Sequence, residues 1–156
     1  MALTDKREDI VDVELPIEQK QRFRLNGDNN KIIELNVHDM GIVNRLDTAY
    51  PKLSEIMSRF STLDTDSDRF KEELDSCDAD LREQINYIFD SPVSDVCVSS
   101  GRMYDLYDGE LAWERVIRTL SKLYADEFAS EYKKLKNRVQ NRASNYIGRG
   151  KNKSKK

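Results

Sequence analysis

The chain has 156 residues, 38% of them hydrophobic and 35% charged, with 26 Lys or Arg against 29 Asp or Glu. That length suffices for one domain with a core, the balance points to long amphipathic helices under a solvated surface, and the absence of any long apolar run excludes a membrane-spanning helix. The charge is divided along the chain: the last 25 residues, from Tyr132, carry ten bases and no acid, while the rest holds all 29 acids against 16 bases. Such separation favours contact with partners or with other copies of the chain over a catalytic pocket.

Residues 1–20 are polar and acid-rich and are interrupted by Pro16. They lack the apolar centre of a signal peptide, so cytosolic residence and a flexible or lightly docked arm are expected. Next, Gln21-Arg22-Phe23-Arg24-Leu25 and Lys31-Ile32-Ile33-Glu34-Leu35-Asn36 flank Asn26-Gly27. Asn-Gly accepts the positive φ of a tight turn, which predicts a β-hairpin. Because a lone hairpin is marginal, Phe23, Leu25, Ile33 and Leu35 must lie against helices or be extended by strands from another subunit.

From Met40, behind Asp39 as N-cap, Val43, Leu46, Tyr50, Leu53, Met57 and Phe60 recur at helical spacing. Pro51 predicts a kink there or a division into two helices. A second helix follows the cluster Asp64-Thr65-Asp66-Ser67-Asp68, with Phe70, Leu74, Cys77, Leu81, Ile85 and Ile88 on one face. Its opposite face, Glu72, Glu73, Asp75, Asp80, Arg82 and Glu83, belongs in water. The stretch from Ser91 to Gly109 reads as a long ordered loop, anchored by Met103, Tyr104 and Tyr107.

The last helix is expected from near Glu110 to about Tyr146, with Trp113, Val116, Leu120, Leu123, Tyr124, Phe128, Tyr132, Leu135, Val139 and Tyr146 at helical spacing. A straight helix of that length, roughly 55 Å, overhangs a body whose diameter is about 36 Å. The overhang needs a partner, a bend or disorder. The expected organisation is a flexible arm over 1–20, a hairpin plus helical domain over 21–146 and a disordered basic tail over 147–156. In fold class the chain reads as mainly α (α+β): an N-terminal β-hairpin, then a bundle of three to four helices with a long C-terminal one.

Asp64-x-Asp66-x-Asp68 departs from a calcium loop at Arg69, where the turn needs Gly, and at Asp75, where Glu is expected; helix capping explains it better. His38, the sole histidine, stands beside Asp39 without a recognisable catalytic constellation. Cys97 lies between Val96 and Val98 with no nearby cation to activate it, and Cys77 is twenty residues away, so both read as packed, reduced thiols. No common nucleotide-binding, zinc-protease or serine-hydrolase pattern occurs. No enzyme activity, metal or cofactor is expected.

The basic stretch, Lys133, Lys134, Lys136, Arg138, Arg142, Arg149, Lys151, Lys153, Lys155 and Lys156, can neutralise phosphates. The acidic body opposes nucleic acid at close range, and Tyr132 and Tyr146 fall on the helix's own apolar stripe. Contact with an acidic protein surface, or no dedicated contact, is the preferred reading.

Several strings then fall together: Phe23-Arg24-Leu25-Asn26-Gly27-Asp28, Glu34-Leu35-Asn36, Arg45-Leu46 before Tyr50-Pro51-Lys52-Leu53, Tyr87-Ile88-Phe89-Asp90-Ser91, Val96-Cys97 and Met103-Tyr104-Asp105. In this order they resemble a family of small proteins of tailed bacteriophages and prophages, encoded near the tape-measure protein and regarded as tail assembly chaperones. The resemblance implies a chaperone in the host cytoplasm that binds and solubilises the tape-measure protein, with the tail-tube protein as a further partner and a homo-oligomer as a further state. The contact surface expected for it comprises Tyr124, Phe128, Tyr132, Leu135 and Val139 on the overhang, with Met103, Tyr104 and Tyr107 beside them. The rival readings are a nucleic-acid-binding regulator that uses the basic tail, and a structural virion protein.

Overall fold

The computed structural model describes residues 9–17 and 20–154, with side chains described as far as Ser144. Residues 1–8 and 18–19 of the expected arm, and Lys155 and Lys156 of the expected tail, lie outside this range. The fold is mainly helical, with an N-terminal hairpin and four helices, the last of them long.

β1 (Gln21–Arg24) pairs antiparallel with β2 (Ile32–Leu35), Phe23 opposite Ile33. Asn26 and Gly27 both adopt positive φ, 53° and 71°, and Leu25 N–H donates to Lys31 O across the turn. The alternating register turns Ile33 and Leu35 into the helical core, where both are buried. The hairpin's apolar face is therefore covered by helices of its own chain.

α1 (Ile42–Ser61) and α2 (Phe70–Phe89) pack along one another. Ala49, Leu53 and Ile56 of α1 join Cys77, Leu81, Ile85 and Ile88 of α2 in the core. α1 is a single helix with Pro51 inside it, not two. One missing N–H costs the ladder a single bond, and burial of Ala49 and Leu53 on either side holds the two halves together. Asp39, the expected N-cap, instead lies two residues ahead of the observed one: its carboxylate accepts from Gly41 N–H and from Arg45, while Gly41 holds the cap position. Arg45 Nε also donates to Ile88 O at 2.7 Å, satisfying a carbonyl at the end of α2. There Asp90 adopts left-handed φ and ψ, and Ser91 N–H donates to Asn86 O, the backbone pattern of a Schellman ending.

The segment from Ser91 to Gly109 is ordered. It contains α3 (Ser94–Cys97) and β3 (Leu106–Tyr107), and β3 pairs with β4 (Glu110–Leu111) around Asp108 and Gly109, both at positive φ. α4 starts at Ala112, two residues later than expected, because Glu110 and Leu111 are used as a strand. Its first N–H groups are taken by the loop, Ala112 N–H by Asp105 O and Trp113 N–H by Met103 O. Val116, Ile117, Leu120 and Tyr124 then enter the core.

α4 continues as one helix to Ser154, 43 residues in all, or about 65 Å. It thus runs past the expected end near Tyr146, through most of the tail expected to lack a fold. Cations at the C-terminal end of a helix complement its dipole, which favours this continuation. Among the described residues no helix is long and apolar enough to cross a membrane.

Candidate functional site

Two regions are built with more care than a plain scaffold requires: the loop held by α2, and the part of α4 that leaves the body. The loop is organised by Arg82. Expected in water, its guanidinium is instead largely enclosed, with 16% of the side chain exposed. Nε donates to Asp78 Oδ2 at 2.9 Å; the two Nη atoms donate to Ser94 O, Val98 O and Gly101 O and to the Asp95 carboxylate. A planar fork of five N–H groups can gather carbonyls from several turns of chain at once, as a lysine ammonium cannot. Asp78 completes the arrangement by accepting Met103 N–H at 2.7 Å through Oδ1.

Met103 is thereby fully buried, and Tyr104 stacks on Phe60 with ring centroids 4.9 Å apart. Both anchor the loop as expected. Tyr107 does not: it is 46% exposed, with the Arg115 guanidinium over its ring at 5.8 Å. Arg115 and Arg118 converge on Glu110, at 2.9 to 3.0 Å. Their hydrogen bonds, that of Arg118 first, hold the Glu110 carboxyl down at about 2.

An open groove of about 410 Å³ lies between the hairpin turn, this loop and the start of α4, lined among others by Leu25, Lys31, Cys97, Tyr107 and Arg115. Burial pushes the Cys97 thiol up to about 11, so the sulfur stays protonated and unreactive. His38 lines a different hollow, with Asp39, Phe89 and Tyr124, and its Nδ1 stands 3.7 Å from a Glu127 carboxylate oxygen. The Cys97 thiol and the His38 imidazole line different hollows and are thus not paired for nucleophilic chemistry. Asp64 uses its carboxylate to accept Asp66 N–H, a turn contact. Among the described residues, no three His, Cys, Asp or Glu side chains are grouped to hold a metal ion.

The second region begins after Tyr124, which is buried, 6.0 Å from the Phe89 ring, its hydroxyl pushed up to about 12 by desolvation. Tyr124 and Met103 were expected as part of a partner-binding surface; both are core and must be struck from it. Tyr104 is half-buried against Phe60 and offers little more. Helical spacing identifies an apolar face but not what already covers it, which is why these residues were misplaced.

The rest of the stripe differs. Every residue from Phe128 to Ser144 is exposed, and Phe128, Tyr132, Leu135 and Val139 are 48%, 55%, 45% and 55% exposed on one face. Phe128 and Tyr132 stack along the helix at 5.9 Å. A shallow groove beside them is lined by Phe128, Glu131, Tyr132, Lys134, Leu135 and Arg138. Lys133, Lys134, Lys136, Arg138 and Arg142 are all exposed on this part of the helix; the side chains of Arg149, Lys151, Lys153, Lys155 and Lys156 lie outside the described residues. Sequence reasoning missed a further apolar surface, that of Ile10, Val11, Val13, Leu15 and Ile17, which are 64 to 81% exposed. The short alternation Ile10-Val11-Asp12-Val13 is too weak in sequence to predict a strand.

Comparison with protein-family models, with curated proteins and with solved structures finds no match.

Proposed function

We propose that the chain is a non-enzymatic tail assembly chaperone of a tailed phage, which holds apolar helical faces of the tape-measure protein until tail-tube subunits enclose them. The observation that carries this reading is the free stripe of Phe128, Tyr132, Leu135 and Val139 on α4, beyond the body. Side chains spaced by four, three and four residues form the row that an amphipathic helix needs to lie alongside another. The flanking bases suit a partner face rimmed with acids. The resemblance of the strings between Phe23 and Asp105 to such chaperones is what suggests the partner.

A holding chaperone must bind reversibly. Four half-exposed side chains on a single helix, outside a pocket, offer a modest contact that arriving tube subunits can displace. Co-expression with the tape-measure protein encoded beside it tests the assignment: the tape-measure protein should be soluble with the wild-type chain and aggregate with a variant carrying Tyr132→Asp and Leu135→Asp. Equal solubility with either chain, or with none, removes the assignment.

One observation favours a second reading, contact with nucleic acid: five bases are exposed between Lys133 and Arg142. It predicts binding that weakens steeply with salt and does not depend on Leu135 or Val139.

A further inference from the structure

We propose that the free part of α4 pairs, antiparallel, with the same segment of a second copy of this chain. This rests on the helix alone and holds whatever partner the chain captures.

From Phe128 to Ser144 the helix has no packing of its own. An unsupported helix of this length is marginal in water. Its apolar residues Phe128, Tyr132, Leu135 and Val139 follow steps of 4, 3 and 4, the spacing that keeps one seam facing a second helix. In an antiparallel pair, Tyr132 lies opposite the partner's Leu135, and Phe128 opposite the partner's Val139. One register satisfies both contacts, and the two-fold symmetry repeats them.

The charges beside the seam select this direction. Glu131 and Arg138 are seven residues apart, hence on nearly the same line of the helix, and both border the groove beside the stripe. The register set by the apolar contacts brings Glu131 against the partner's Arg138, twice per dimer. Glu131 takes Lys134 through Oε1 at 3.1 Å, which leaves its second oxygen to accept from the incoming guanidinium. Antiparallel pairing also sends the basic end of each helix toward the acidic body of the other. A parallel pair would instead align the bases of one copy with those of its twin and crowd both acidic bodies at one end.

Sedimentation of the full chain, from about 1 µM to about 1 mM, reads the pairing. The wild type should pass from monomer to dimer over that range. Glu131→Arg and Arg138→Glu should each weaken the dimer roughly tenfold, because each creates two like-charge contacts. The double variant should recover to within about threefold of wild type, and an equimolar mixture of the two single variants should dimerise more tightly than either alone. Circular dichroism should be unchanged, since both side chains are exposed. A wild type that stays monomeric throughout overturns the proposal. So does a double variant as weak as the singles, the result for a parallel pair in which Glu131 meets the partner's Lys136. Co-expression with the tape-measure protein is a separate readout, so the two proposals fail separately.

Discussion

Arg82 Nε and Asp78 Oδ2 meet at 2.9 Å one turn apart on α2, with 16% and 11% of their side chains exposed, and through them a nineteen-residue loop is fastened to a helix. The pair works because each member has a second task. Arg82 gathers three loop carbonyls, and Asp78 takes the N–H of the buried Met103. An enclosed ion pair is stabilising in this way only when its remaining donors and acceptors are also satisfied.

Removing one member leaves the other charge enclosed and alone. Asp78→Ala should lower the unfolding free energy by about 3 kcal/mol, measured by urea titration. Asp78→Asn retains an acceptor for Met103 N–H and should cost less, about 1–2 kcal/mol. A fall below about 0.5 kcal/mol for Asp78→Ala, the range of ordinary surface changes, would show that the loop is held by other contacts.

Glu110 makes the β3–β4 turn sensitive to acid. Arg118 and Arg115 keep its carboxyl at about 2 in the folded chain against an ordinary value of 4.5. Its folded-state value is depressed, so its contribution is complete above the ordinary value and is lost as pH falls through the folded one. In melts, Glu110→Gln should lie below wild type at about pH 6, and the gap should close between pH 4.5 and 2. A gap that is constant with pH would show that ionisation of Glu110 plays no part.

Leu81 and Tyr132 separate core from overhang. Leu81 is fully buried and Tyr132 is 55% exposed. Leu81→Asp should unfold the chain, since a buried, unpaired carboxylate costs several kcal/mol. Tyr132→Asp should leave the melting transition of the body within about 0.5 kcal/mol of wild type, while weakening both self-pairing and partner capture. Equal loss of structure in both variants, by circular dichroism, would place Tyr132 in the core.

Much of the fold was legible. Asn26-Gly27 located the hairpin because few other dipeptides tolerate two successive positive φ angles. The apolar steps along α2 located its buried face because a helix fixes which residues share a side. Arg82 was not legible: patterning assigns a charged residue on the polar side to water, and the carbonyls that enclose it come from 12, 16 and 19 residues further along the chain. Asp78 was overlooked for the same reason. At the site, Phe128, Tyr132, Leu135 and Val139 could be nominated because helix length alone shows that α4 outruns the body. Met103 and Tyr124 could not be told from them, because what covers a residue depends on the packing of distant segments.

The segment from Phe128 to Ser144 shares no side chain with the buried interior. Its amino acids are therefore free to drift, or to be exchanged wholesale, without the folding unit having to be solved again. With partner capture on the free stripe, as proposed, recognition and foldability would reside at opposite ends of one continuous rod, and a lineage could adopt a new client by rewriting a few turns of it and keep the rest of the molecule unchanged.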